Sequence, residues 1–157
     1  MFVLVIGIVA LVVANGFCMD IGIMISVLEK SKQGITETFV SIDKDLSAAA
    51  KELSGVDLKG KKAREILNKL YGNKPYVIDC ATIDTTGRII LTEPEEYRRY
   101  EGLDISKQEQ IIALLQNKKP IFSDVFRSVE GVEAIDFEYP VFSVKGEFVG
   151  SVSMLVK

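Results

Sequence analysis

Val77-Ile78-Asp79-Cys80-Ala81-Thr82-Ile83, then Asp84-Thr85-Thr86-Gly87, then Arg88-Ile89-Ile90-Leu91-Thr92 reads as strand, turn, strand. β-Branched and aliphatic residues dominate both runs, and such side chains fit a pleated, half-buried surface. Asp84 can bond its own turn backbone and Gly87 can take a positive φ, so the four residues between close a hairpin. Glu93-Pro94 ends the second strand, because proline cannot donate to a ladder. An irregular and helical insert follows, Glu93 to Lys119. Three further strand-like runs come after it: Ile121 to Phe126, Glu133 to Ser143 and Phe148 to Val156, the last two joined by Val144-Lys145-Gly146. A hairpin, a long insert and a three-stranded meander predict an α+β fold. Its five-stranded antiparallel sheet carries a lid between strands 2 and 3.

Inside the insert, Pro94 to Tyr100 has the pattern of a short helix with proline in its first turn. Glu101 to Ile105 is loop. Ser106 and Glu109 have capping-box spacing, which predicts a helix from Ser106 to about Asn117 with Ile111, Leu114 and Leu115 facing inward. In the fourth strand Ile135, Phe137, Tyr139 and Val141 alternate with Ala134, Asp136 and Glu138, so one set faces a core and the other faces away. Pro140 interrupts that run and needs an edge or a bulge. Gly150, Ser151 and Ser153 leave space over the last strand; at Gly150 the long helix is expected to fill it.

Before the sheet lie two helices. From Ile21 to Leu53 a seven-residue register places Ile21, Leu28, Ile35, Ile42 and Ala49 in one set and Ile25, Lys32, Phe39, Leu46 and Leu53 in the other. This predicts one amphipathic helix over 20–54, about 50 Å long. It is longer than a small sheet needs, so its first half is expected to pair with a second copy in a homodimer. Ala63, Ile66, Leu67, Leu70 and Tyr71 mark a second helix, stopped by Gly72-Asn73 and Pro75. Lys61, Lys62, Arg64 and Lys69 on its other face read as a solvated basic surface. Residues 1–19 are nearly all apolar and are expected to be a signal peptide or membrane anchor, leaving 20–157 as a single domain outside the membrane.

Composition narrows the function. The 157 residues carry a net charge of −3 and no histidine. The charge gives no reason to seek nucleic acid, and the missing histidine removes the usual general base and the commonest metal ligand. Cys18 and Cys80 have no metal-ligand spacing, and Cys80 reads as a buried apolar group. No phosphate loop or nucleophile elbow is present. Asp124 and Asp136 are the only plausible acid–base pair, so an enzyme is the weakest expectation, and no cofactor or metal is expected.

Five stretches together resemble the Cache family, the PAS-like sensor domains that histidine kinases and chemoreceptors display outside the membrane: Ile83 to Ile89, Tyr97 to Ser106, Lys119 to Phe126, Tyr139 to Phe142 and Gly146 to Ser153. The likeness runs from Ile21 to Val156 and is nearest to versions in archaeal sensor kinases and chemoreceptors. It implies a PAS-like sheet in front of a long amino-terminal helix, pairing through that helix, and a small ligand such as a carboxylate or amino acid under the insert. Members commonly continue into a second membrane span and an output module. Ending at Lys157, this chain is expected to be either a separate binding subunit or one segment of a receptor.

The expected pocket is about 300–1,000 Å³ and is lined by tyrosine and at least one arginine. Tyr97 and Tyr100 share a helical face, so only one neighbouring arginine can join them, and Arg99 is the candidate for a carboxylate. Ser123, Asp124 and Phe126 begin the strand where the resemblance implies a pocket wall. Asp136 could take the ammonium of an amino acid, and Tyr139 lies on the same strand. The bland alternatives are Arg98 paired on the surface, Tyr139 in the core and Asp136 in solvent. As a whole, the chain reads as an extracytoplasmic small-molecule sensor domain in signal transduction; the alternative is a ligand-free interaction or dimerisation module of the same fold.

Overall fold

The computed structural model describes residues 21–157. The expected signal peptide or anchor at 1–19 lies outside them. Among the described residues no helix is long and apolar enough to cross a membrane. The chain divides into two units, Met1–Ser41 and Ile42–Lys157.

The described part of the first unit is helical and belongs to α1 (Ile21–Ser54). Ile21, Ile25, Leu28 and Ile35 of the heptad stripe are exposed there. In the second unit the same stripe continues as Ile42, Leu46, Ala49 and Leu53, and all four are buried. Each fully buried leucine contributes about 2 kcal/mol. α2 (Gly60–Tyr71) turns Ala63, Leu67 and Leu70 into the same core and ends at Gly72 in the left-handed conformation, φ +53°.

Strands β1 (Val77–Ile83), β2 (Ile89–Glu93), β5 (Glu133–Phe142) and β6 (Phe148–Val156) and the short β3 (Ile121–Phe122) form an antiparallel sheet in the order β2-β1-β6-β5-β3, while β4 (Phe126–Arg127) pairs with β5. Six strands therefore stand where five were expected. The third run splits because Ser123 interrupts its ladder. The Ser123 backbone N–H donates to the Asp136 carbonyl at 2.9 Å, but the Asp136 N–H donates to the Ser123 hydroxyl at 2.9 Å rather than to a main-chain carbonyl. From Phe122 to Phe126 the chain advances four positions while β5 advances three, from Phe137 to Ala134. Asp124 and Val125 bulge out and are exposed. Pro140 pairs with Ser151 on β6, and β3 begins only opposite Glu138, so no strand on the other side needs the missing N–H.

The insert opens as a 3-10 helix, Glu95–Tyr100, and closes as α3 (Glu109–Asn117), which buries Ile111 and Leu114 as expected. The expected serine cap is not used. The Ile105 N–H donates to the Gly87 carbonyl at 2.9 Å and the Ser106 N–H to Asp104 Oδ1 at 3.0 Å, which holds Ser106 against the first hairpin turn. The helix therefore starts three residues later, with Gln108 at its cap position.

Both faces of the sheet are covered. Cys80, Phe137, Val141, Val152, Met154 and Val156 pack against α1 and α2. On the opposite face Ala81, Ile83 and Ile89 meet Ile105 and Ile111 of the insert, while Ile78 and Leu155 meet Ala134, Tyr97 and Phe126. At Gly150 the space is filled, though not by α1. Its φ is +137°, and a Cβ there would sit 2.2 Å from the Ile83 carbonyl oxygen and 2.6 Å from Leu58 Cδ1. Gly150→Ala is expected to destabilise the domain by about 3 kcal/mol or more, read as a lower urea midpoint at unchanged slope.

Candidate functional site

β1 carries a charge inside an apolar run, and strand alternation decides where that charge goes. Asp79 lies on the insert side of the sheet, with Ala81 and Ile83, rather than on the helix side with Cys80. The register between β1 and β6 shifts just before it, which leaves Val77 on the helix side. From β6, Ser153 and Leu155 face the same way; from β5, Asp136 does. Over these residues the insert lays Ile105 and Gln108, and the β4–β5 turn lays Ser128, Val129 and Glu130. The result is a narrow pocket: about 390 Å³ with the solvent at its mouth, but only about 40 Å³ of free interior, room for a few waters and well short of the expected volume of about 300–1,000 Å³.

Its lining includes three carboxyl groups, Asp79, Glu130 and Asp136, and no lysine or arginine. A fourth, Glu138, lies on the same face of β5 beneath them and is wholly buried. Asp136 is 6 % exposed. Gln110 Nε2 of α3 donates to its Oδ2 at 3.3 Å, while its Oδ1 meets no amide, hydroxyl or cation and has only the proton it can share with Glu138. Asp136 and Ser151 are the neighbours of Glu138, but neither Glu138 oxygen makes a hydrogen bond of ordinary geometry. Thr92 Oγ1 and Ser128 Oγ, both buried in the cavity wall, are also without partners.

Buried carboxylates without cations hold their protons. Desolvation pushes Asp136 up to about 7, Glu130 adding to the rise while Gln110 and Glu138 oppose it by hydrogen bonding. Desolvation, then the nearby Glu130 and Asp136, raises Asp79 well above the carboxylate range. Desolvation and Asp136 do the same to Glu138. No lysine or arginine offsets any of the three rises.

The residues expected at the site are distributed as follows. Phe126 and Asp136 line the cavity. Tyr97 packs beside Phe126 on the Ile78–Ala134–Leu155 cluster. Tyr100 stacks on Tyr97 with centroids 6.4 Å apart, because residues three apart in a 3-10 helix eclipse. Arg99 is exposed and lies over the Tyr100 ring, 5.0 Å from its centroid. Ser123 supports Asp136 through the backbone and does not line the cavity. Asp124 is exposed and, with Ser123 and Phe126, lines a wider groove beside α3. Tyr139 is on the helix side of the sheet and donates to Asp43 Oδ1. Asp136 is therefore not solvated, and the cavity wall is acidic where arginine was expected.

The arginines that might have entered are held elsewhere. Glu93, only 1 % exposed, receives Arg98 through Nε at 3.1 Å and Nη2 at 2.9 Å, and Arg64 Nη1 at 2.6 Å. Arg64 Nη1 also reaches Glu101 at 3.0 Å, so this part of the α2 basic face is not a free solvated surface. Sequence reasoning missed Asp79, Thr92, Ser128 and Glu130. A lone carboxylate in the run Val77–Ile83 was the available signal for the first; the others depend on how the insert and the β4–β5 turn close.

With this geometry the comparisons can be read. The family described as HK/GC/Chemotaxis protein-like, sensor domain, matches residues 37–157. The chain belongs to that family. The match agrees with the Cache-type resemblance of the motifs. Among solved structures, an extracellular ligand-binding receptor from Desulfohalobium retbaense is 40 % identical with a TM-score of 0.80, over 83 % of this chain and 24 % of that one. Two more share the fold: the ligand-binding domain of Mlp24 with asparagine (14 % identity, TM-score 0.68, 85 % of this chain and 55 % of that one) and that of the Campylobacter jejuni chemoreceptor Tlp3 with 4-methylisoleucine (14 %, 0.63, 81 % and 54 %). The chain thus spans about a quarter of the first and somewhat over half of the other two. A search of the curated proteins finds no match. The family is one of sensor domains, and the Desulfohalobium protein is an extracellular ligand-binding receptor.

Groups with raised pKa stabilise the fold while protonated, so their contribution is complete below the unfolded value near 4 and is lost as pH climbs through the folded value. Facing Asp136 are Asp79 from β1, Glu130 from the β4–β5 turn, Glu138 from β5 and the neutral Gln110 from α3. The melting temperature of the ligand-free chain is therefore expected to fall between pH 5 and 8 by about 4 °C or more. Asp136→Asn is expected to flatten that slope in a differential scanning calorimetry series; an unchanged slope would show that Asp136 does not carry it.

Proposed function

We propose that this chain is the extracytoplasmic ligand-sensing domain of a signalling receptor, and that its ligand is a small molecule bearing a positively charged nitrogen. The observation that carries the reading is the cavity between sheet and insert, into whose wall Asp136 brings a buried carboxyl oxygen that meets no amide, hydroxyl or cation. An ammonium brings three donors and no acceptor, which suits such an oxygen. The family's sensor role and the receptor domains among its structural relatives support it. A ligand-free interaction module would pack Tyr97, Arg99 and Phe126 together; Tyr97 and Phe126 do share one cluster, but Arg99 stays exposed over Tyr100 and the buried acids keep a pocket between sheet and insert. A small carboxylate without an ammonium would face three acids and no base, so the cationic half of the expected ligand range is favoured.

A thermal-shift screen of the purified chain against amino acids and small amines tests the proposal. At least one compound is expected to raise the melting temperature by several degrees at about 100 times its dissociation constant. Asp136→Asn should keep the fold, because it puts a neutral amide of the same shape where desolvation already favours the uncharged acid, yet should lose most of that rise. If no compound stabilises the chain, the sensor reading falls.

The same proposal places α1 in a homodimer next to the membrane. The exposed Ile21, Ile25, Leu28 and Ile35 repeat at coiled-coil spacing, and a second copy would bury them reciprocally. Leu28→Glu with Ile35→Glu is expected to convert a dimer into a monomer in sedimentation velocity while the melting temperature stays within a few degrees. A chain already monomeric at tens of micromolar would remove this part of the proposal.

A further inference from the structure

The geometry points to a narrower specificity: the cavity selects a primary amine that carries no carboxylate. This rests on the sensor reading above and goes further by excluding the ordinary α-amino acid. An amino acid needs two opposite anchors, an acceptor set for its ammonium and a cation or fixed donors for its carboxylate. Here acids supply the first, and for the second there is no cation, only neutral groups such as Gln108, Thr92 and Ser128. Asp79, Glu130 and Asp136 line the cavity, with Glu138 directly beneath, and no basic side chain lines it.

The arginines near its edge are committed elsewhere. Arg98 holds Glu93 and Glu95, Arg64 holds Glu93 and Glu101, Arg88 donates to the Gly102 carbonyl, and Arg99 lies exposed over Tyr100. Drawing Arg98 inward would leave Glu93 dependent on Arg64 alone, and Glu93 is itself a buried carboxylate.

A second observation is independent of the acid count. Asp136 Oδ1, Thr92 Oγ1 and Ser128 Oγ belong to cavity-lining residues that are at least nine-tenths buried, and none of the three meets a donor other than the proton Asp136 can share with Glu138. The Asp136 oxygen can accept an N–H of an ammonium, and the two hydroxyls, which accept as well as donate, can take others. Ile83, Ile89, Ile105, Phe126 and Leu155 supply an apolar remainder suited to a short alkyl body. A carboxylate beside that body would lose its water with no cation to pair it, and each acid that ionises there would repel it more strongly than in solvent.

Pairs of probes that differ only in the carboxylate decide the matter. L-Valine is compared with isobutylamine and L-valinamide, and L-asparagine with 3-aminopropanamide, by calorimetric titration of the purified chain at pH 7.5; isobutyrate serves as the carboxylate without the amine. In at least one pair the amine is expected to bind tenfold or more tightly than its amino acid, isobutyrate should give no heat, and Asp136→Asn should weaken the amine at least tenfold. Equal or tighter binding of the amino acids would overturn the selectivity and leave the sensor reading intact. Binding of no amine would also overturn it. Amine binding unaffected by Asp136→Asn, in a variant whose melting curve shows it folded, would mean that the cavity is not where the amine sits.

Discussion

One buried carboxylate, Glu93, anchors the insert. It ends β2 and receives a guanidinium from α2 on one side and another from the 3-10 helix on the other. Removing a partner from such a group strands a charge in the interior, a penalty of about 3–5 kcal/mol. The first turn of the insert is therefore fixed to the helical layer at the point where the chain leaves the sheet. Glu101 extends the attachment, because its Oε1 accepts the Thr92 N–H at 3.1 Å and also faces Arg64. The insert's share of the cavity roof hangs from this edge.

The two faces of the sheet obey opposite rules. Toward α1 and α2 the side chains are aliphatic and closely packed, and Gly150 leaves no room for even a methyl group. Toward the insert, carboxyl groups gather with unpaired oxygens around an open space. The first face stabilises the fold. The second works against it whenever its acids ionise, and an arrangement of this kind is found where binding rather than stability has shaped the residues. On the proposed reading, the ligand brings the cation that the acids lack.

Much of the architecture was legible because local chemistry and tertiary structure agreed. Asp84 and Gly87 close the hairpin as their side chains dictate, with Asp84 Oδ1 accepting the Thr86 and Arg88 N–H groups at 2.7 and 3.0 Å. Gly72 stops α2, and the heptad stripe of α1 is helical throughout its described length. The third strand run was misread because a single hydroxyl, Ser123 Oγ, stands in for a main-chain carbonyl, which no propensity reveals. Ser106 was given a capping role because its spacing from Glu109 fits, but long-range bonds to the Gly87 turn hold it. Arg64 looked like one more surface cation since its partners lie 29 and 37 residues away. Alternation along β5 sorted the faces correctly but not their surroundings. Polar residues opposite a core usually meet water, and here they meet a second layer instead. The site was the least legible part, because its chemistry comes from Asp79, Asp136, Ser128 and Glu130, which only the closure of the insert and of the β4–β5 turn brings together.

The main chain at Asp136 is held from two directions. Ser123 clasps both its N–H and its carbonyl, and on the other side it stands in register with Leu155 of β6. When its side chain gains or loses charge, the strand beneath has no freedom to slide and absorb the change. The adjustment is forced upward, into the one side-chain bond that leads away from the sheet, Gln110 on α3. Rigid footing at the bottom of the chamber thus gives any electrical event there a single direction in which to be felt.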